Sequence, residues 1–102
     1  MEQLEKIDQL EKINRATNVL KGIAHPIRLS IMELLKDGDR LCVTDIHERI
    51  NVEQAVTSQH LKILKEKNIL DVEKQGKHCI YFMKNEGLKR LFDCIELCNE
   101  CF

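Results

Sequence analysis

Three cysteines near the end of the chain have a spacing that can bind a thiophilic ion. Cys94, Cys98 and Cys101 fall at i, i+4 and i+7, so they share one face if this segment is helical. Thiolates are soft ligands that suit As(III), Cd(II), Zn(II) or Cu(I). The same thiols can instead form a redox or persulfide switch. Three cysteines can also simply pack in an apolar seam.

Helix geometry limits which of these thiols can share one ion. A regular helix separates Cys94 from Cys101 by about 10.5 Å along its axis. Two sulfurs bound to one ion lie only about 4 Å apart, because each metal–thiolate bond is about 2.3 Å long. Cys98 can therefore chelate with either neighbour. A site with all three thiols requires the last turn to unwind, or a thiol from a second subunit.

The other two cysteines are weaker candidates. Cys42 is a possible metal ligand, but a single free cysteine is most often a small buried hydrophobe. Cys79 lies in a predicted strand and is expected to pack there. The N-terminus lacks a signal-peptide pattern, and the apolar runs are too short to cross a membrane. We therefore expect a cytoplasmic protein, in which five cysteines are thiols rather than a disulfide framework.

The charge pattern favours a polyanionic partner. The 102 residues suffice for one domain, and 16 Lys and Arg nearly balance 17 Asp and Glu. Residues 52–84 nevertheless carry six lysines against four acids, whereas residues 1–13 and 85–102 each have a balance of −2. This distribution fits a polyanion-facing centre between acidic flanks. A chance imbalance of solvated residues would give the same counts.

Hydrophobic periodicity and chain breakers predict a mainly helical protein with one small β-hairpin. Thr44 and Asn85 are expected to cap helices, and Asn51 and Asn68 are expected to take left-handed backbone conformations. The predicted elements are a helix over 1–24, a helix from Pro26, a short extended run over 41–43, a short helix over 44–50, a helix over 53–67, strands over 69–74 and 78–83, and a helix over 86–101.

Two of these helices predict a DNA-binding motif. The segment 44–67 contains two helices joined by a tight turn, with the second helix polar on one face, which is typical of a helix-turn-helix. The hairpin over 69–83 follows at once and fits a wing that contacts the phosphate backbone. An ordinary solvated helix in a small helical domain is the alternative. The candidate DNA contacts are Gln54, Thr57, Ser58, His60, Lys62, Lys74 and Lys77.

Four separated motifs resemble the ArsR/SmtB family of bacterial winged-helix repressors. Residues 20–29 are similar to the family's "LK-x-LAHP-x-RL", residues 56–61 to "VS-x-HL", residues 68–70 to "GLV", and residues 76–81 to the wing phrase "G-x-x-x-x-Y". The resemblance implies a homodimer through the first and last helices, which binds inverted-repeat operator DNA until an effector releases it. It also relates residues 41–46 to the metal motif "LCVCDL". Cys42 matches the first cysteine of that motif, and Thr44 stands where the motif has its second cysteine.

The sequence offers no catalytic constellation, so an enzyme is not expected. His25 is interpreted as a structural residue at a helix start, and Arg28 as a phosphate contact or a buried ion-pair partner. We interpret the chain as a dimeric repressor controlled by thiol chemistry. A winged-helix protein-interaction module and a thiol-rich metal buffer are the alternatives from other classes.

Overall fold

The computed structural model describes the backbone of residues 2–84 and 88–101, and the side chains of residues 6–84, 88–95, 97 and 98. No helix in these ranges is long and apolar enough to cross a membrane. The predicted cap at Asn85 and the start of the last helix at residue 86 lie outside the described residues. The elements are α1 Glu2–Ile23, α2 Pro26–Leu35, β1 Leu41–Cys42, α3 Val43–Ile50, α4 Gln54–Glu66, β2 Leu70–Gln75, β3 His78–Met83 and α5 Lys89–Cys101.

The junction between α1 and α2 is built from a histidine and a proline. Pro26 occupies the first turn of α2, where its missing N–H costs no helical hydrogen bond. His25 precedes it in an extended conformation, with φ −153° and ψ 133°. The Nδ1 atom of His25 accepts a hydrogen bond of 3.1 Å from the backbone N–H of Ile27. The structural role expected for His25 is therefore confirmed, because its side chain caps α2.

The helix-turn-helix is formed by α3 and α4. Asn51 ends α3 at φ 57° and ψ 49°, and Asn68 follows α4 at φ 60°, so both predicted left-handed corners are confirmed. The predicted cap at Thr44 is wrong. Cys42 is the last extended residue and Val43 is already helical, which makes Cys42 the cap position and places Thr44 within the first turn.

The wing contains a third strand, β1, at the extended run predicted over 41–43, although its pairing with the hairpin was not predicted. β1 pairs with β3 and β3 pairs with β2, all antiparallel, in the order β1–β3–β2. Gln75 pairs with His78, so the hairpin turn has two residues, Gly76 and Lys77, rather than the three predicted. Gly76 has φ 62°, and a glycine at the first position of such a turn is typical of type II′.

The core lies between α2, α3, α4 and the base of the wing. Of the α1 side chains that the structure describes, those buried belong to the last turn, at Gly22 and Ile23. Phe92 joins the core from α5 with 7% exposure. The side chains of α1 from residue 6 to residue 18 are exposed, so most of this long helix projects from the chain. The remaining buried apolar residues are Ile31, Met32, Leu35, Ile46, Leu61, Leu64, Ile69 and Leu70.

Candidate nucleic-acid interface and thiol site

The exposed side of α4 presents a straight row of polar side chains. Gln54, Ser58 and Lys62 are all exposed and follow one another at intervals of four residues. Residues at this spacing lie above one another on one helix face, with about 6 Å of axial rise per step. We call these three residues the outward row. An amide, a hydroxyl and an ammonium group in line offer donors for base edges and for phosphate.

Thr57 does not belong to this face, and its prediction as a DNA contact is wrong. Its side chain is fully buried, and its Oγ1 atom has no hydrogen-bond partner in the structure. Thr57 precedes Leu61 by four residues and Leu64 by seven, so it lies on the apolar stripe of α4. That spacing was visible in the sequence and could have identified Thr57 as an inward residue.

His60 is half-buried rather than part of the exposed face. Its Nδ1 atom accepts a hydrogen bond of 3.2 Å from Nε of Arg28. Its ring stacks on that of His25, with centroids 4.4 Å apart and planes inclined by 36°. Burial, followed by the nearby His25 and Arg28, lowers the pKa of His60 below its ordinary value of 6.5.

Arg28 connects this histidine to the end of α1. Its Nη1 atom donates to the carbonyl oxygen of Gly22 at 2.9 Å and to that of Lys21 at 3.4 Å. The last carbonyls of a helix have no partner within the helix, and a guanidinium satisfies them well. Among the described residues Arg28 has no carboxylate partner, so the expected ion pair is replaced by a helix cap.

The wing carries its two predicted lysines at its tip. Lys74 and Lys77 are exposed, on either side of Gly76.

The base of the wing is held by a residue that the sequence analysis missed. Arg40 forms an ion pair with Glu73, and its guanidinium carbon lies 4.2 Å from the centroid of the Phe82 ring. These two contacts tie the segment before β1 to both strands of the hairpin.

The thiols of α5 are accessible. Cys94 and Cys98 are exposed and one helical turn apart, which is the spacing at which two thiolates can chelate one ion. The side chain of Cys101 lies outside the described residues. Among the side chains that are described, no three His, Cys, Asp or Glu residues come together as a metal-binding group. The donor chemistry of the Cys94–Cys98 pair fits a thiophilic ion, and the three-thiol site stays a prediction.

The two remaining cysteines lie on strands β1 and β3. Cys42 is half-buried, and its Sγ atom donates to Oδ2 of Asp45 at 3.3 Å. Cys79 is exposed, so the expectation that it packs in the wing is wrong. It pairs with Lys74 near the tip of the hairpin, where the strands have passed beyond the core.

Comparisons with known proteins identify the family. The model of the arsR family of bacterial regulatory proteins matches residues 25–72. The cadmium resistance transcriptional regulatory protein CadC of Listeria innocua is 35% identical over 95 residues, which cover 81% of this chain and 80% of CadC. The chain belongs to the ArsR family.

Solved structures of ArsR-type regulators agree with this assignment. The transcriptional repressor BigR of Xylella fastidiosa superimposes with a TM-score of 0.80 and 25% identity, over 91% of this chain and 94% of BigR. The winged helix-turn-helix domain of Mb0332 from Mycobacterium bovis, described as homodimeric, gives a TM-score of 0.77 at 23% identity, over 90% of this chain and 84% of that one. The predicted winged-helix fold is confirmed, as is the prediction of a transcriptional regulator rather than an enzyme.

Proposed function

We propose that this ArsR-family chain is a homodimeric repressor that binds an inverted-repeat operator and releases it when the thiols of α5 capture a thiophilic ion. The observation that carries the DNA-binding part is the exposed outward row of α4, formed by Gln54, Ser58 and Lys62. The lysine-tipped wing follows α4 directly in the chain. A protein of this kind acts in the cytoplasm, where its operator DNA is found.

The apolar side chains exposed on α1 and α5 support the dimer. Ile7, Leu10, Ile13 and Leu20 of α1 and Leu97 of α5 are each more than half exposed. Large apolar side chains at helical spacing are costly to leave in water, and two copies of the stripe can cover each other around a two-fold axis. The description of Mb0332 as homodimeric agrees with this arrangement.

A two-fold dimer sets the geometry of DNA recognition. The two copies of α4 enter successive major grooves, so the half-sites are separated by about one helical turn, on the order of 34 Å. In this arrangement Ser58 and Gln54 contact base edges, whereas Lys62, Lys74 and Lys77 neutralise phosphates. His60 acts from behind the outward row, because its ring is packed against Arg28 and His25.

The thiol pair of α5 supports the control of binding. Cys94 and Cys98 are exposed at chelating spacing, on the helix that also carries the exposed Leu97. An ion held there changes the shape and charge of the proposed dimer interface. Cys101 can strengthen the site if the last turn of α5 unwinds. The relative CadC is named for cadmium resistance, which favours a metal or metalloid over a persulfide as the inducer. Cys42 and Cys79 are not required.

The test is the release of the protein from its own promoter DNA in a mobility-shift titration. Arsenite, Cd(II) and polysulfide are added separately to the wild type, to a Cys94→Ser/Cys98→Ser variant and to Cys79→Ser. Cys79→Ser is the matched control, because this thiol is also exposed but lies on the wing. We expect arsenite or Cd(II) to release the wild type and the control, but not the double variant.

Other outcomes assign other functions. Release by polysulfide alone would indicate the redox switch. Uptake of Cd(II) with unchanged DNA affinity would indicate a metal buffer. A protein that binds no promoter DNA would be an interaction module.

A further inference from the structure

The contacts of His60 form a cluster that joins three helices. We define the histidine junction as His25, Arg28 and His60. Arg28 lies in α2, His60 in the middle of α4, and the two carbonyl oxygens bound by Arg28 end α1. The stacked rings and the guanidinium therefore connect the projecting helix α1 with the helix that bears the outward row.

The hydrogen bonds of the junction fix where the protons lie. A guanidinium only donates, so the Nδ1 atom of His60 that receives Nε of Arg28 has no proton of its own. A backbone N–H also only donates, so the Nδ1 atom of His25 that receives the N–H of Ile27 is likewise unprotonated. An imidazolium carries a proton on both nitrogens and cannot accept either bond. Both contacts therefore exist only while the two histidines are neutral.

Protonation of His60 would change attraction into repulsion at this point. The charged and titratable groups that face its ring are Arg28 of α2 and His25 at the α1–α2 junction. On α4 itself, the residues one turn away are Val56, Thr57, Ile63 and Leu64, which carry no charge. An imidazolium would thus face a guanidinium and a second histidine, with no carboxylate among the groups that shift its pKa.

We infer that the histidine junction positions α4 for operator binding, with His60 as a positioning residue, and that its protonation weakens operator binding. The inference rests on the proposed function, since it concerns the same α4. Ser58 and Lys62 lie two residues on either side of His60, so any loosening of the ring contacts displaces the outward row. Without these contacts α4 is still held by its buried face, but its outward row contacts bases and phosphates less precisely.

We expect operator affinity to fall as the pH falls, whereas added positive charge alone would raise it. Protonation of surface histidines adds positive charge and strengthens binding to DNA as the pH falls. The pKa of His60 is lowered from 6.5 in the folded protein. The contribution of the neutral His60 ring to operator binding is therefore complete above the ordinary pKa of 6.5. It is lost as the pH falls through the lower pKa of the folded protein.

The experiment measures operator affinity at two pH values for the wild type and two variants. We expect the wild type to bind more weakly at about pH 5.5 than at about pH 7.5, by a factor of less than about ten, because a pKa below 6.5 leaves part of the His60 population neutral at about pH 5.5. His60→Asn replaces Nδ1 with an amide oxygen that accepts from Arg28 but does not titrate, so the operator affinity of this variant should not fall as the pH is lowered. His78→Asn removes an exposed histidine of the wing and should lose affinity as the wild type does.

A second readout does not depend on DNA. The titration of the His60 Cε1 proton is followed by NMR in the wild type and in Arg28→Met. We expect the wild-type pKa to lie below 6.5 and to rise in Arg28→Met, because the guanidinium is one cause of the lowering. Equal losses of affinity in His60→Asn and the wild type, stronger wild-type binding at low pH, or a His60 pKa at its ordinary value would each overturn the inference. Absence of DNA binding at about pH 7.5 with the expected NMR titration would refute only the proposed function.

Discussion

Replacing Thr57 with valine tests the corrected assignment of α4 directly. The Thr57 side chain is fully buried, and its Oγ1 atom has no partner. A buried hydroxyl without a hydrogen bond costs about 1–3 kcal/mol, and valine has the same shape with a methyl group in its place. Threonine and valine have similar helix propensities, so the backbone contributes little. Thr57→Val should therefore raise the free energy of unfolding by about 1–2 kcal/mol.

Thermal unfolding and operator binding together measure this effect. For a domain of this size, 1 kcal/mol shifts the midpoint by about 4–8 °C, so Tm should rise by at least that amount at a fixed protein concentration. Operator affinity should not change, because the side chain does not reach the surface of α4. Thr44→Val is the matched control, since Thr44 is an exposed helical threonine, and its effect should stay within about 0.5 kcal/mol. A lower Tm, or weaker operator binding by Thr57→Val, would refute the assignment.

Three further predictions concern the proposed interfaces. Leu97→Asp places a charge on an exposed apolar side chain of α5, so sedimentation should show monomers with an intact fold; a variant that stays dimeric would place the seam elsewhere. Lys77→Ala should weaken binding to all DNA sequences alike and reduce the slope of log affinity against log salt by about one, and an unchanged slope would contradict the wing contact. Cys94→Ser/Cys98→Ser should abolish release by arsenite or Cd(II) in the promoter titration, whereas Cys79→Ser should keep it.

Local chemistry accounts for the features that the sequence predicted correctly. Asn51 and Asn68 were assigned to left-handed corners because asparagine tolerates positive φ, and both adopt it. His25 was assigned a structural role because it stands before a proline at a helix start, and it caps α2 there. These predictions require only neighbouring residues, so one sequence suffices for them.

The features that escaped prediction depend on residues distant in the chain. The sequence indicates the extended run over 41–43, but not its pairing with Tyr81 and Ile80, which makes β1 a strand of the wing. The bond between Arg28 and His60 spans 32 residues, so nothing in the neighbourhood of either residue indicates it. The exposure of Cys79 depends on how far β3 extends beyond the core. Periodicity alone does not fix that length.

The attachment of α1 has a mechanical consequence. Within residues 6–23, whose side chains the structure describes, α1 meets the rest of its own chain around its last turns. There an added Cβ at Gly22 would lie 3.1 Å from Cγ of Lys67, and Lys67 donates to Asn18 at 3.1 Å. The twenty residues before this pivot form a lever about 30 Å long. A tilt of about 10° at the pivot moves the far end by about 5 Å. In the proposed dimer, side-chain packing along the lever would therefore set the angle at Gly22, and with it the distance between the two copies of α4.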